Sequence, residues 1–528
     1  MIKSSAMKPD NQQKLFNYYL LALSLLGMSF AFIITYRYGA GLSTDGARYL
    51  STAENLINGR GFYDYLGEPL TQFPPVYSVI IAGIGFITGV DVFMVGQYLN
   101  ILTLGLVIWL AGFFFRRTFP DDFIYAYIGS AVFTTSISLI RIASNILSDL
   151  LFMALAIMFL ITATTFLENN TKKNIFILGL IACISPLERY AGLTFIFTGS
   201  VLFIIVYRRE ILKGFFYAGI FGFLTGLPVM LWVIFHNYLR TGILFGLRRP
   251  PSTAGNLETT IEKAVHWFIP YSLTDLIPTG VIFIIILLIL LTGNRLSDWK
   301  RWGAQLVNSK FLPGVIFSAF YLGVLIFNVS YSEVRWPFMD RIHIIILPVL
   351  MALGFLTARE LKPFYLHRIS PKTLRFLGIV IFILWLAYPI NNIQKYIRSA
   401  IYNGEISEYN LYNTRAQNES GVKEFIASLY LPLDAKVYGN YEPIAWLYSR
   451  RTILKLPQGP ADLKKQDPEQ VLQNYPDWPG SDGKGFVIWM KKIGFKPYVL
   501  APDQLTSKAD FQLIFSSKEG DVYILKPK

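Results

Sequence analysis

The sequence predicts a polytopic α-helical membrane protein of about eleven transmembrane helices with a soluble α/β domain at its C-terminal end. Three observations carry that expectation. Of the 528 residues, 53% are hydrophobic and only 16% are charged, and the mean hydropathy of +0.43 lies outside the balance of a water-soluble domain. The apolar residues are gathered into blocks long enough to cross a bilayer, some with tilt or flanking residues. From about Ile393 the composition turns to that of ordinary globular sequence.

The blocks lie near residues 15–36, 91–115, 121–140, 149–167, 174–207, 214–236, 276–292, 311–329, 342–357 and 374–390, and the stretch 174–207 is long enough for two passes. The first block follows Lys3, Lys8 and Lys14, exceeds a signal h-region and lacks a small-x-small cleavage site, so it reads as a retained signal anchor. A net charge of +14 raises the question of nucleic acid. The placement of the basic residues answers it. Arg116/Arg117, Lys172/Lys173, Arg208/Arg209/Lys213, Arg295/Lys300/Arg301/Lys310 and Arg359/Lys362/Arg368/Lys372/Arg375 fall in every second loop, as the positive-inside rule requires. The expectation is therefore a multi-pass protein of the cell (inner) membrane with a cytoplasmic N-terminus and an extracytoplasmic C-terminal domain, with membrane lipids and no nucleic acid as partners.

One apolar run, Val76–Thr88, is only about 13 residues, short for a span and typical of a re-entrant or interfacial helix. If it crossed, every later basic loop would lie on the wrong side. It is therefore kept on the outer face, which leaves a first outer loop of about residues 37–90. Residues 1–392 are then the membrane module and residues 393–528 the outer domain. In that domain KVYG, TILKL, GFVIWM and the hairpin-like FQLIFSSKEGDVYILK read as strands, while ESGVKEFIASLY and ADLKKQDPEQVLQNY read as helices. Their alternation predicts a small α/β domain. Cys183 is the only cysteine, which excludes an intrachain disulfide, and His236, His266, His343 and His367 show no metal-ligand spacing.

A loop of that length in a helical bundle is usually functional or disordered. This one carries aromatic and apolar residues throughout, with a helical stretch from about Ala47 to Ile57 and Asp45 just past the outer end of the first helix. Asp45 and Asp149 offer carboxylates, while Arg189, Arg335 and Arg341 offer cations, all at the outer ends of expected helices. Plainer readings stand beside this one. Asp45 and Asp149 could cap helices, Arg335 and Arg341 could snorkel to headgroups, and Trp267 and Trp336 could belong to an interfacial belt. Arg189 is harder to dismiss, because a charge flanked closely by apolar residues is costly and usually faces a cavity or partner.

The first loop resembles that of the GT-C-fold glycosyltransferases, through Asp45-Gly-Ala-Arg48-Tyr49, Ala53-Glu-Asn-Leu56, Gly59-Arg-Gly-Phe62 and Pro74-Pro75-Val-Tyr77. The nearest group is family 39, the protein O-mannosyltransferases, the lipid A aminoarabinose transferase and their bacterial relatives. Later segments resemble the family more weakly: Ser144-Asn-Ile-Leu-Ser-Asp149, Glu188-Arg-Tyr-Ala-Gly192, Met339-Asp-Arg-Ile342 and Val437-Tyr-Gly-Asn440. Two departures count against a protein acceptor: Glu188-Arg189-Tyr190 replaces the family's Thr-Lys-Gly form, and no Asp-Glu pair follows the first helix. The resemblance implies inverting transfer of a sugar from a polyprenyl-phosphate donor to a lipid or glycan acceptor, with Asp45 as general base and Asp149 as the second acidic position. It implies no nucleotide sugar and no certain cofactor, and it leaves a divalent cation open.

The residue types suit that chemistry in their own right, since transfer from a lipid phosphosugar needs a base for the acceptor hydroxyl and cations for the departing phosphate, here Arg189, Arg341 and Arg335. The rival expectation is a transporter or flippase of a lipid-linked or anionic solute. Its signature of paired inverted repeats with broken helices is not evident by eye, and the long first loop has no purpose in it.

Overall fold

The computed structural model describes residues 9–245, 256–270, 296–308, 310–331, 340–366, 370–405, 409–429, 431–432, 435–459, 467–479, 485–491 and 498–528. The expected span at 276–292 and the candidate Arg335 lie outside the described residues. The chain divides into two compact units, one of Met1–Ile34, Thr71–Tyr77 and Gln97–Arg398, the other of Thr35–Leu70, Ser78–Gly96 and Ser399–Lys528.

The helices follow the apolar blocks. In order they are α1 (Pro9–Thr35), α2 (Thr44–Ile57), α3 (Val76–Thr88), α4 (Val92–Thr118), α5 (Phe123–Thr135), α6 (Ile137–Ala143), α7 (Asp149–Glu168), α8 (Lys172–Glu188), α9 (Leu193–Val206) and α10 (Ile211–Leu231). They are followed by α11 (Asn256–His266), α12 (Leu296–Leu306), α13 (Leu312–Tyr331), α14 (Leu347–Leu366) and α15 (Pro371–Asn403). Among the described residues six helices are long and apolar enough to cross a membrane, and the bent pair α5 and α6 makes a seventh candidate. The protein is a multi-pass helical membrane protein. At about 1.5 Å per residue α3 is about 20 Å long, short of a hydrocarbon core of about 30 Å.

Two local readings need correction. The block 121–140 is not one straight helix but breaks at Ser136 with a 52° bend. There the Thr134 and Thr135 hydroxyls turn back onto the carbonyls of Ser130 and Ala131, and the Ser136 side chain caps α6 by accepting from Leu139 N–H. The last long helix also runs past residue 393 to Asn403, because IQKYIRSAIY has no breaker and keeps apolar residues at helical spacing.

Within the membrane unit, α1 and α4 meet over small residues. A Cβ on Gly112 would stand 2.2 Å from Leu20 Cδ2, so glycine lets the two helices approach here with Leu20 in place. An aromatic core joins α7, α9 and α13: Phe195 packs on Phe159 at 4.9 Å, on Phe317 at 5.2 Å and on Phe152 at 5.4 Å between ring centroids. These rings are fully buried and fix the helix ends that carry the polar cluster described below.

The second unit contains a five-stranded sheet, β1 (Lys436–Gly439), β2 (Ile453–Lys455), β3 (Gly485–Met490), β4 (Ala509–Ser516) and β5 (Gly520–Pro527), in the order β2-β1-β3-β5-β4. β1 pairs in parallel with β2 and β3, while β5 is antiparallel to β3 and β4. All four strand-like segments of the sequence therefore enter one sheet, with a buried core of Tyr438, Val487, Leu500, Leu505 and Leu525. Most of the first outer loop, within Thr35–Leu70 and Ser78–Gly96, is part of the same unit. The N–H groups of Leu411 and Tyr412 donate to the Leu42 carbonyl at 2.9 and 3.0 Å, and Ile453 N–H donates to the Tyr65 carbonyl at 2.7 Å.

Candidate functional site: a buried aspartate between two arginines

Glu188-Arg-Tyr-Ala-Gly192 is the hinge of the membrane-unit site. α8 ends at Glu188, Arg189 is extended with φ −147° and ψ 138°, and Tyr190–Gly192 form one 3₁₀ turn before α9. The turn can fold back because residue 192 has no side chain: a Cβ there would lie 2.2 Å from the Ser185 carbonyl carbon and 2.4 Å from Pro186 N. That geometry swings the Arg189 side chain toward the start of α7.

Asp149 occupies the first turn of α7 and is 2% exposed. Its Oδ1 lies 2.8 Å from Arg189 Nη1 and its Oδ2 3.7 Å from Arg341 Nη1, so one carboxylate holds two guanidinium groups. Arg189 also donates to Ser148 Oγ at 3.2 Å. The capping alternative for Asp149 is not realised, since its carboxylate faces arginines. Glu188 is fully buried beside this group, with no hydrogen-bond partner on either carboxyl oxygen among the described residues. Arg341 is set by its neighbours: Ser138 and Trp267 donate to Asp340, Tyr321 donates to the Ile342 carbonyl at 2.7 Å, and Thr260 lies 3.1 Å from His343 Nε2. Arg341 thus sits on a braced one-turn helix, Asp340–His343.

A second bracing contact involves Tyr190. Its hydroxyl donates to the Thr71 carbonyl at 3.1 Å and accepts from Asn237 Nδ2 at 2.9 Å. Asn237 belongs to a π-helical turn, Trp232–Tyr238, that continues α10 after Pro228, and such turns recur at functional sites.

In the other unit Ser43, not Asp45, caps α2, its hydroxyl accepting from Gly46 N–H at 3.2 Å. The helix begins at Thr44, three residues before the expected Ala47, so Asp45 lies half-buried inside the first turn and the capping alternative is excluded for it. Arg48, one turn further on, feels the Asp45 charge and pairs with Asp64 at 3.2 Å. Burial pushes the Asp64 carboxyl up, against the opposing pull of Arg48 and of the Leu66 and Glu68 N–H groups. Tyr49 is buried, and its carbonyl accepts from Ser78 Oγ at 3.1 Å.

Of the expected residues, then, the structure brings together Asp149, Arg189 and Arg341. Pro74 and Pro75 are buried immediately before α3, where a fixed φ and a missing N–H suit a helix start. Tyr77 follows, and its hydroxyl donates to Asn100 Oδ1 at 2.9 Å. Sequence reasoning passed over Asn100, Asn237, Asp340 and Asp64. Asn100 carried a signal, an amide within an apolar block, since a polar group at that depth must find partners.

Among solved structures resembling the chain is ArnT from Cupriavidus metallidurans bound to undecaprenyl phosphate, with 14% identity and a TM-score of 0.57 over 98% of each chain. The apo state of that protein matches at 13% identity and a TM-score of 0.55, over 96% of this chain and 97% of the other. The archaeal oligosaccharyltransferase AglB from Archaeoglobus fulgidus, in complex with an inhibitory peptide and a dolichol-phosphate, matches at 10% identity and 0.51, over 97% and 74%. No family model and no curated protein sequence matches the chain. The fold is of the GT-C type, a polytopic helical membrane module with a C-terminal sheet domain.

Proposed function

We propose that this protein is a membrane glycosyltransferase that moves a sugar from a polyprenyl-phosphate donor to a lipid or glycan acceptor on the extracytoplasmic side, with inversion. The observation that carries the reading is the buried Asp149–Arg189–Arg341 cluster on a GT-C fold. Two guanidinium groups held by one carboxylate can take a phosphate through charge-assisted, bidentate hydrogen bonds. They stabilise the charge that grows on the phosphate as the anomeric bond breaks. The lipid phosphates bound in two of the similar structures, undecaprenyl phosphate and dolichol-phosphate, support a lipid phosphate as the ligand.

Both Asp149 oxygens face arginines, which suits it to organise the phosphate clamp. Asp45, half-buried in the first turn of α2 with its helix capped by Ser43, is the general base that takes the acceptor hydroxyl's proton. The acceptor oxygen attacks the anomeric carbon from the face opposite the phosphate, and polyprenyl phosphate leaves. Among the described residues no three His, Cys, Asp or Glu side chains are grouped to hold a metal ion.

Binding of undecaprenyl phosphate to the purified protein in lipid nanodiscs tests the clamp. Arg189→Ala and Arg341→Ala are expected to weaken it about tenfold or more while the protein remains folded, since a charged hydrogen bond contributes about 1.5–3 kcal/mol. Wild-type affinity in both variants would remove the phosphate assignment.

A further inference from the structure

The loop between α6 and α7 is an unusual piece of chain. Residues 144–148 are all fully buried and lie outside the regular helical ladder, within an apolar unit where an unpaired carbonyl is costly. One side chain from another helix donates to two of its carbonyls. Asn100, on α4 and 1% exposed, donates from Nδ2 to the Asn145 carbonyl at 2.5 Å and to the Leu147 carbonyl at 3.0 Å. Its Oδ1 accepts the Tyr77 hydroxyl at 2.9 Å. Both amide hydrogens and the amide oxygen are thereby engaged. The two carbonyls decide which way the amide points: being acceptors only, they require Nδ2 to face the loop, and this leaves Oδ1 for the Tyr77 O–H, which holds it there.

Two residues beyond Leu147 the chain reaches Asp149, and Ser148 between them accepts from Arg189. The fixed carbonyls therefore set the backbone from which both contacts to Arg189 are made. Pro74 and Pro75 set the start of α3, and Tyr77 stands on the first turn of that helix.

We propose that Tyr77 and Asn100 are positioning residues for the arginine pair: they lock the 144–148 loop, and through Asp149 they hold Arg189 and Arg341 at the separation a phosphate needs. The inference rests on the phosphate-clamp reading above. It gives the Pro-Pro-Val-Tyr segment a specific task, carried out by a hydroxyl acting through one amide. Neither residue touches the arginines themselves among the contacts described.

The test uses full-length protein in nanodiscs, undecaprenyl phosphate as the probe, and the variants Tyr77→Phe, Asn100→Asp and the pair combined. Asn100→Asp keeps the shape and the acceptor for Tyr77 but replaces the donor of two hydrogen bonds by an oxygen. It is expected to lower probe affinity about tenfold or more, in the range that follows when buried carbonyls lose their donor. Tyr77→Phe, the milder change and the safeguard should Asn100→Asp fold poorly, is expected to lower affinity by about threefold to tenfold while the protein stays folded. The double variant should be no worse than Asn100→Asp alone, because the effect proposed for Tyr77 passes through Asn100. Hydrogen exchange should rise in residues 145–150 in each variant.

Wild-type affinity in Tyr77→Phe and Asn100→Asp, with affinity lost in Arg189→Ala, overturns the inference and leaves the clamp standing. Wild-type affinity in Arg189→Ala overturns the clamp itself. Additive losses in the double variant, or unchanged exchange in residues 145–150, also count against the inference.

Discussion

The sharpest consequence of the cluster geometry concerns how strongly Asp149 is coupled to each arginine. Its oxygens lie 2.8 Å from Arg189 and 3.7 Å from Arg341. At an effective dielectric constant of about 20 those distances give attractions of about 6 and about 4 kcal/mol before desolvation is counted. Removing one partner of a buried pair costs about 3–5 kcal/mol, because the other charge is left uncompensated. Arg189 and Arg341 keep 22% and 14% of their side-chain surface exposed, which places Asp149→Asn at the lower end, about 3 kcal/mol.

The measurement is a pair of double-mutant cycles on unfolding free energy in a defined detergent, Asp149→Asn with Arg189→Met and Asp149→Asn with Arg341→Met. The shorter contact should give the larger coupling, about 2 kcal/mol for Arg189 and about 1 kcal/mol for Arg341, within the usual range for residues in one network. Couplings below about 0.5 kcal/mol in both cycles, the level at which independent sites add, would refute the ion-pair geometry. A larger coupling to Arg341 would refute the order of the distances.

Three further outcomes are expected. Asp45→Asn should reduce sugar transfer by about 10²–10⁴-fold with donor binding intact, the share a positioned base contributes, whereas Ser43→Ala should cost about 1 kcal/mol of helix stability and spare turnover; near wild-type turnover in purified Asp45→Asn would eliminate the base assignment. Gly192→Ala should destabilise the protein by about 1–3 kcal/mol through overpacking against Ser185 and Pro186, read as a lower melting temperature, and an unchanged one would mean that the turn relaxes freely. Asn413→Ala removes an amide that donates to the Tyr38 and Ala40 carbonyls at 2.8 Å each and should cost about 1–3 kcal/mol; limited proteolysis between residues 37 and 70 should speed up, and an unaltered cleavage pattern would show that the loop is held by other contacts.

What the sequence reveals about this molecule depends on whether a feature is local. Blocks of apolar residues, the short run before Asp91, the Pro-Pro start of α3 and the breaker sequence around Arg189 each act within a few residues of chain. They were legible for that reason. The strands KVYG and GFVIWM could be named from alternation and β-branched content, although their parallel pairing could not. By contrast, the Thr35–Leu70 part of the first outer loop and residues 409–413 belong to one compact unit through contacts such as Leu42 N–H to Asn410 Oδ1 at 3.0 Å, between segments separated by most of the membrane module. Hydrophobic periodicity reports that a residue is buried and not which partner it meets, so nothing in either segment announces the other. The same distinction separates Asp149 from Asn100. An aspartate opening an apolar helix draws attention by its charge, and its partners could be guessed among the arginines at neighbouring helix ends. An asparagine inside an apolar helix announces only that some polar group must satisfy it. Which carbonyls it holds is decided by the break between α6 and α7, and that break becomes visible only once the chain has folded around it.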